Sequence, residues 1–217
     1  LEVARALAEL QETVPLHFTL RLVSFALEEP PAYGTRFMGS RVYARKAKLE
    51  GERLDGMICL EMVGYSCSEP GCQAYPFPLM FRNYPKTGDY IVIVGNYRSR
   101  KFTRELFDAF KKNEDLPVIK LTIPWSGYLL PTVRLSDHAS FWEQGYPAIL
   151  AIEDNRDFNP YYHSANDRLS NLDIEYFTEF VRAAVGMLAL MGDCGEYPQI
   201  PTLLLPVVIG ETALEAA

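Results

Sequence analysis

Two adjacent carboxylates, Glu28 and Glu29, close an apolar run just before Pro30-Pro31. Neighbouring carboxylates repel unless a cation or a proton intervenes. In extended backbone they point to opposite sides, so one can hold a metal ion while the other faces the attacking water as a general base. The same dipeptide can also be two solvated acids capping a loop. Glu61 lies in Cys-Leu-Glu-Met-Val, an otherwise apolar segment. A buried carboxylate needs a partner, and a metal ion is one of the few adequate ones; an exposed strand edge or an arginine partner is the alternative. His163 sits in Asn-Pro-Tyr-Tyr-His-Ser-Ala-Asn-Asp, where aromatic, amide and acid neighbours can hold a ring orientation. Its alternative is an ordinary surface histidine. Of the other two histidines, His17 opens a strand, and His138 follows Asp137 in Ser-Asp-His-Ala-Ser.

The fold has to deliver these residues to one place. A helix is predicted over 1–13, ended by Pro15, and a buried strand over 17–27. A helix over 39–49, a strand over 54–63 and a third strand over 90–95 follow. Further on come a charged amphipathic helix over 99–113, an apolar segment at 117–123 and a short helix end at 141–145. A strand over 147–153 and a long helix over 173–192 complete the pattern. Short apolar strands alternating with helices argue a three-layer α/β fold, a mostly parallel sheet with helices on both faces. Such sheets place ligands at the carboxyl ends of their strands. Glu28 and Glu29 follow the first strand, Glu61 ends the second, and Asp154, Asn155, Asp157 and His163 follow the last. The loops 64–89 and 124–136 are the expected pocket walls, and their aromatic and apolar content points to an apolar substrate side chain.

Composition bounds the remaining possibilities. The 217 residues are 48% hydrophobic and 23% charged, with a net charge of −7. This is the mix of a globular protein, read as a single α/β domain over 1–217. The negative charge argues against a broad phosphate-binding surface, so no nucleic-acid partner is expected. The longest apolar stretch, 201–210, is interrupted by Pro206. A membrane helix needs about 20 apolar residues, and no membrane insertion is expected. There is no Gly-rich phosphate loop and no Gly-x-Ser-x-Gly elbow. Cys67 and Cys72 flank Ser-Glu-Pro-Gly, a turn compatible with a local disulfide or with two free thiols. The chain opens at Leu1 already in helical register, with no capping residue ahead of it. That reads as a chain begun partway through a helix, which would show no signal peptide in any case. Localisation stays open, with a secreted or periplasmic site favoured over a cytoplasmic one.

Taken together the segments resemble the zinc-dependent aminopeptidases and carboxypeptidases of metallopeptidase family 28. The matching stretches are Phe-Ala-Leu-Glu-Glu-Pro-Pro with Met-Gly-Ser at 38–40, and Leu-Glu-Met-Val-Gly-Tyr at 60–65. After them come Ser-Asp-His-Ala-Ser-Phe-Trp-Glu-Gln-Gly-Tyr-Pro-Ala at 136–148 and the His163 segment at 159–167. They run in the family's order over most of the chain. The resemblance implies hydrolysis at a peptide terminus, most simply by an aminopeptidase, on a peptide or small aminoacyl substrate. It implies Glu28 as general base, Glu29 and His163 as ligands of one zinc, and Glu61 on the other zinc. Asp137 and His138 fall near the implied active site, and Tyr162 and Tyr128 are candidate pocket residues. The family also has an upstream His ligand and a bridging Asp, and neither is present here. A two-ion site takes about five protein ligands, and this chain supplies three, so the resemblance implies a missing N-terminal segment. Two other readings follow from the short ligand set: a non-catalytic binding domain, and acyl transfer at a single zinc as in glutaminyl cyclases.

Overall fold

The structure is a computed structural model that describes residues 1–12, 16, 18–73, 84–112, 116–153, 159–192 and 202–206. His17, Pro15, Asp154, Asn155, Asp157 and the 74–83 part of the long loop lie outside the described residues.

A six-stranded sheet forms the centre. Its strands are β1 (Thr19–Val23), β2 (Gly56–Glu61), β3 (Ile91–Asn96), β4 (Val118–Ile123), β5 (Ala148–Glu153) and β6 (Thr202–Pro206). Their spatial order is β1-β6-β2-β5-β3-β4. Every neighbouring pair is parallel except β3 with β5, which is antiparallel. The helices are α1 (Glu2–Gln11), α2 (Gly39–Leu49), α3 (Arg100–Phe110), α4 (His138–Gln144) and α5 (Ile174–Gly192).

The three expected layers are present, and the strand alternation builds them. Ile58, Ile91, Ile93, Ile149 and Ala151 point to one face and pack under α1, α3 and α5 through Leu7, Leu106, Phe180 and Met187. Met57, Cys59, Val92, Val94, Ala148 and Leu150 point to the other face and pack under α2 and α4 through Ala44, Ala47, Phe141 and Trp142. Both faces of the central strands are buried, so they read as unbroken apolar runs.

Several elements differ from the sequence expectation. The first strand is shorter than 17–27, because the chain leaves the sheet after Val23 and turns through Leu27, whose φ is 62°. The helix expected at 141–145 begins earlier, at His138, and stops at Gly145, which takes the left-handed conformation (φ 81°) that glycine adopts without a Cβ clash. The apolar stretch at 201–210 supplies a strand, β6, slotted between β1 and β2. No helix among the described residues is long and apolar enough to cross a membrane.

Candidate functional site

A cleft of about 170 Å³ opens beyond the carboxyl ends of the central strands. Glu28, Glu29, Glu61, Tyr162 and His163 all line it, with Met62, Leu135, Leu150 and Ile152 as its apolar walls and Tyr33 and Thr132 beside them. Residues from five segments of sequence thus meet where strands β1, β2 and β5 end.

Each acid has a local reason for its position. The turn that carries Glu28 and Glu29 is braced by α2. The Gly39 N–H donates to the Ala26 carbonyl at 2.8 Å, and a Cβ at Gly39 would sit 2.8 Å from that oxygen and 2.9 Å from the Ala26 nitrogen. Only glycine permits this approach. Glu61 shares its face of β2 with Met57 and Cys59, so it emerges on the α2 and α4 side of the sheet. The Ser136 hydroxyl donates to Glu61 Oε2 at 2.7 Å and lies 3.3 Å from the Cys59 sulfur. His163 stands opposite, its Nε2 3.2 Å from Glu29 Oε1 and its ring stacked on Tyr162 at 3.9 Å between centroids.

The backbone is strained at these same points. The non-glycine residues with left-handed φ among those described are Leu27, Met62, Trp125, Ser126 and His163. Leu27 precedes Glu28, Met62 follows Glu61, and His163 is itself in the cleft; Trp125 and Ser126 lie in the 124–136 loop. Such conformations cost on the order of 1–3 kcal/mol each and cluster at functional sites.

Electrostatics sets the cleft apart. Burial, followed by the like charges of Glu61, Asp137 and Glu29, raises the Glu28 pKa to about 8. Glu61 is also raised by burial, with the Ser136 hydrogen bond opposing the shift. Asp137, fully buried beneath the cleft's lining residues, is raised by the same cause, with the Ser40 hydroxyl opposing the shift. A pocket of crowded acids of this kind favours protons or a cation.

The donor set fits zinc in kind, two carboxylates and an imidazole. In number it is short: among the described residues no three His, Cys, Asp or Glu side chains converge closely enough to enclose an ion. Glu29 and His163 come within 3.2 Å of each other.

Not every expected residue reaches the cleft. His138 is buried under α4, where its Nε2–H donates to the Val133 carbonyl at 2.8 Å and its ring meets Trp142 edge-on. Tyr128 is 66% exposed and lies under the Arg134 guanidinium, off the cleft wall. Cys67 and Cys72 are joined by a disulfide in the 64–89 loop. Sequence reasoning passed over Glu153, an almost fully buried acid at the end of β5. Its signal was the one that flagged Glu61, a single acid closing an apolar strand. Ser136 was also missed, and a lone serine gives no sign of which carboxylate it will meet.

Comparison with known proteins places these features in context. The sequence profile of Peptidase family M28 matches residues 1–188. The chain is 35% identical over 188 residues to the uncharacterized protein YfbL of Escherichia coli K12, covering 87% of this chain and 55% of that one. It is 38% identical over 167 residues to a probable leucine aminopeptidase of Trichophyton verrucosum, covering 76% of this chain and 36% of that one. The chain therefore spans about half, or less, of the length of these relatives. Among solved structures, the LapA aminopeptidase of Legionella pneumophila superposes with a TM-score of 0.50 at 21% identity, over 71% of this chain and 35% of that one. That likeness concerns the fold, a mostly parallel sheet flanked by helices.

Proposed function

The chain belongs to peptidase family M28, and from that premise we propose that its cleft serves zinc-dependent hydrolysis of peptide bonds at the amino terminus of a peptide or small aminoacyl substrate. The observation that carries the reading is the meeting of Glu28, Glu29, Glu61 and His163 in one cleft at the carboxyl end of the sheet. The names of the fungal relatives, probable leucine aminopeptidases, support the choice of terminus.

In this reading Glu29 and His163 hold one zinc ion and Glu61 faces a second. Two ions take about five protein donors, and these three are part of such a set. Zinc, when bound, supplies Lewis-acid polarisation of the scissile carbonyl and activation of the attacking water. Glu28 is the base. Its carboxylate takes the proton from the water as the oxygen attacks the carbonyl carbon, then delivers it to the leaving amine nitrogen as the carbon–nitrogen bond breaks. Burial holds its affinity for a proton near that of neutral solution, where taking and returning one are both feasible. Ser136 keeps Glu61 oriented and favours its charged form. Leu135, Leu150 and Ile152 offer an apolar wall to the substrate side chain. The Cys67–Cys72 disulfide supports a secreted or periplasmic location, since such bonds persist in oxidising compartments.

The experiment is a paired assay on the full-length protein reconstituted with zinc. Leucine p-nitroanilide should be hydrolysed and its N-acetylated form should not. Cleavage of neither overturns the reading, and equal cleavage of both overturns the assignment to a free amino terminus.

A further inference from the structure

Glu153 takes no part in the chemistry above, yet it is 1% exposed and carries a carboxylate. On β5 it shares a face with Ile149 and Ala151, so it points away from Glu61 and toward the α5 side of the sheet. Its Oε2 accepts the Tyr65 N–H at 2.6 Å, and the neighbouring Gly64 backbone also favours its charged form. Its own N–H donates to the Met62 carbonyl at 2.9 Å. Two backbone groups of the 62–65 turn, the Met62 carbonyl and the Tyr65 N–H, therefore meet on one residue, immediately after Glu61 and at the left-handed Met62.

That turn is tied onward. The Gly64 carbonyl accepts the Asp173 N–H at 2.8 Å, and the Ser66 hydroxyl donates to the Asp173 carboxylate at the start of α5. The Tyr65 ring meets the Tyr161 ring at 6.2 Å between centroids, edge to face. Tyr161 is next to Tyr162, on which His163 stacks. A continuous set of contacts thus runs from the exit of Glu61, through Glu153 and Tyr65, to the loop that carries His163.

We propose that Glu153 is a positioning residue that fixes the 62–66 turn and, through the Tyr65–Tyr161 ring contact, sets where His163 stands opposite Glu61. A buried carboxylate suits the task because it is a charged acceptor and so makes a strong hydrogen bond to the Tyr65 N–H. The proposal rests on the assignment of Glu61 and His163 as metal donors for its link to function, but its structural content can be read without any metal.

The test is site-resolved amide exchange on the full-length protein, together with zinc affinity measured by chelator competition. Glu153→Ala should speed exchange at least about tenfold in both 62–66 and 161–164, and weaken zinc binding roughly 10–100-fold, the range for losing a group that orients a ligand. Glu153→Gln should restore most of both, because its amide oxygen still accepts the Tyr65 N–H. Met187→Ala, which opens a cavity in the same core layer, should lower stability and leave both readouts unchanged. Opening of 62–66 with 161–164 unchanged overturns the proposal, as does an equal effect from Met187→Ala. If Glu153→Ala does not fold, Tyr65→Leu decides: it keeps the N–H bond to Glu153, and it should speed exchange at 161–164 alone, while no change there overturns the link. If the wild-type protein binds no zinc, the peptidase reading fails and the exchange result still decides the role of Glu153.

Discussion

His163 Nε2 and Glu29 Oε1 lie 3.2 Å apart although 134 residues of sequence separate them. One follows β1, the other follows β5, and both line the cleft. If both serve one ion, His163→Ala and Glu29→Gln should each weaken zinc binding by at least about 10–100-fold, the scale that even an orienting partner commands. The double variant should lose less than the sum, since both would act on the same ion. Chelator competition reads all three. Full affinity in either single variant contradicts the pairing.

The Ser136 hydroxyl bonded to Glu61 at 2.7 Å holds a carboxylate that burial drives toward its neutral form. Ser136→Ala should therefore raise the Glu61 pKa further. Activity should fall roughly tenfold or more, while stability changes by only about 1 kcal/mol, the net worth of an ordinary hydrogen bond. Steady-state kinetics beside a denaturant melt separates the two. A loss of stability without a loss of rate would make Ser136 a packing residue.

His138 gives a pH signature away from the cleft. Burial lowers its pKa from 6.5 to about 4 in the folded protein. Between those values the unfolded chain binds a proton that the folded chain does not, so stability is fully present above pH 6.5 and is lost as pH falls through 4. The loss is on the order of 3 kcal/mol at about 1.4 kcal/mol per pKa unit. His138→Gln, which can still donate to the Val133 carbonyl, should remove that part of the acid slope. Denaturant melts of both proteins from pH 7 to pH 4 provide the comparison, and parallel slopes would contradict it.

Gly39→Ala should place a methyl group against the Ala26 backbone. Neither neighbour is a flexible side-chain end, so the turn carrying Glu28 or the start of α2 must move. Overpacking of this kind costs about 1–3 kcal/mol. A thermal melt should show a clear drop in Tm. An unchanged Tm would mean the turn gives way freely, and the bracing role assigned to Gly39 would be lost.

Much of this was legible in the residues because the physics is local. Apolar runs with Ile, Val and Leu on both faces mark buried strands, and single acids at their ends mark the places where a parallel sheet exposes its ligands. Glu28, Glu29, Glu61 and His163 stood out for that reason, and the structure brings all four to one cleft. The misses were cases in which partners lie far apart in sequence. Glu153 looks like Glu61 in its strand, but the pleat sends it to the other face of the sheet, and only the register shows that Tyr65 meets it. β6 was hidden because its apolar stretch, interrupted by Pro206, carries no alternation and no turn signal that names its neighbours. His138 neighbours a buried acid in sequence, yet α4 turns it into the core, onto Trp142.

In the proposed reaction Glu28 moves the proton in peptide hydrolysis. The direct measurement is kcat of Glu28→Gln on leucine p-nitroanilide, in the full-length protein with zinc bound and its content measured alongside. Glutamine keeps the shape of the side chain and removes the base. If Glu28 is the base, kcat should fall roughly 10²–10⁴-fold, the usual share of general acid–base catalysis, with zinc content unchanged. A variant with wild-type kcat would contradict it.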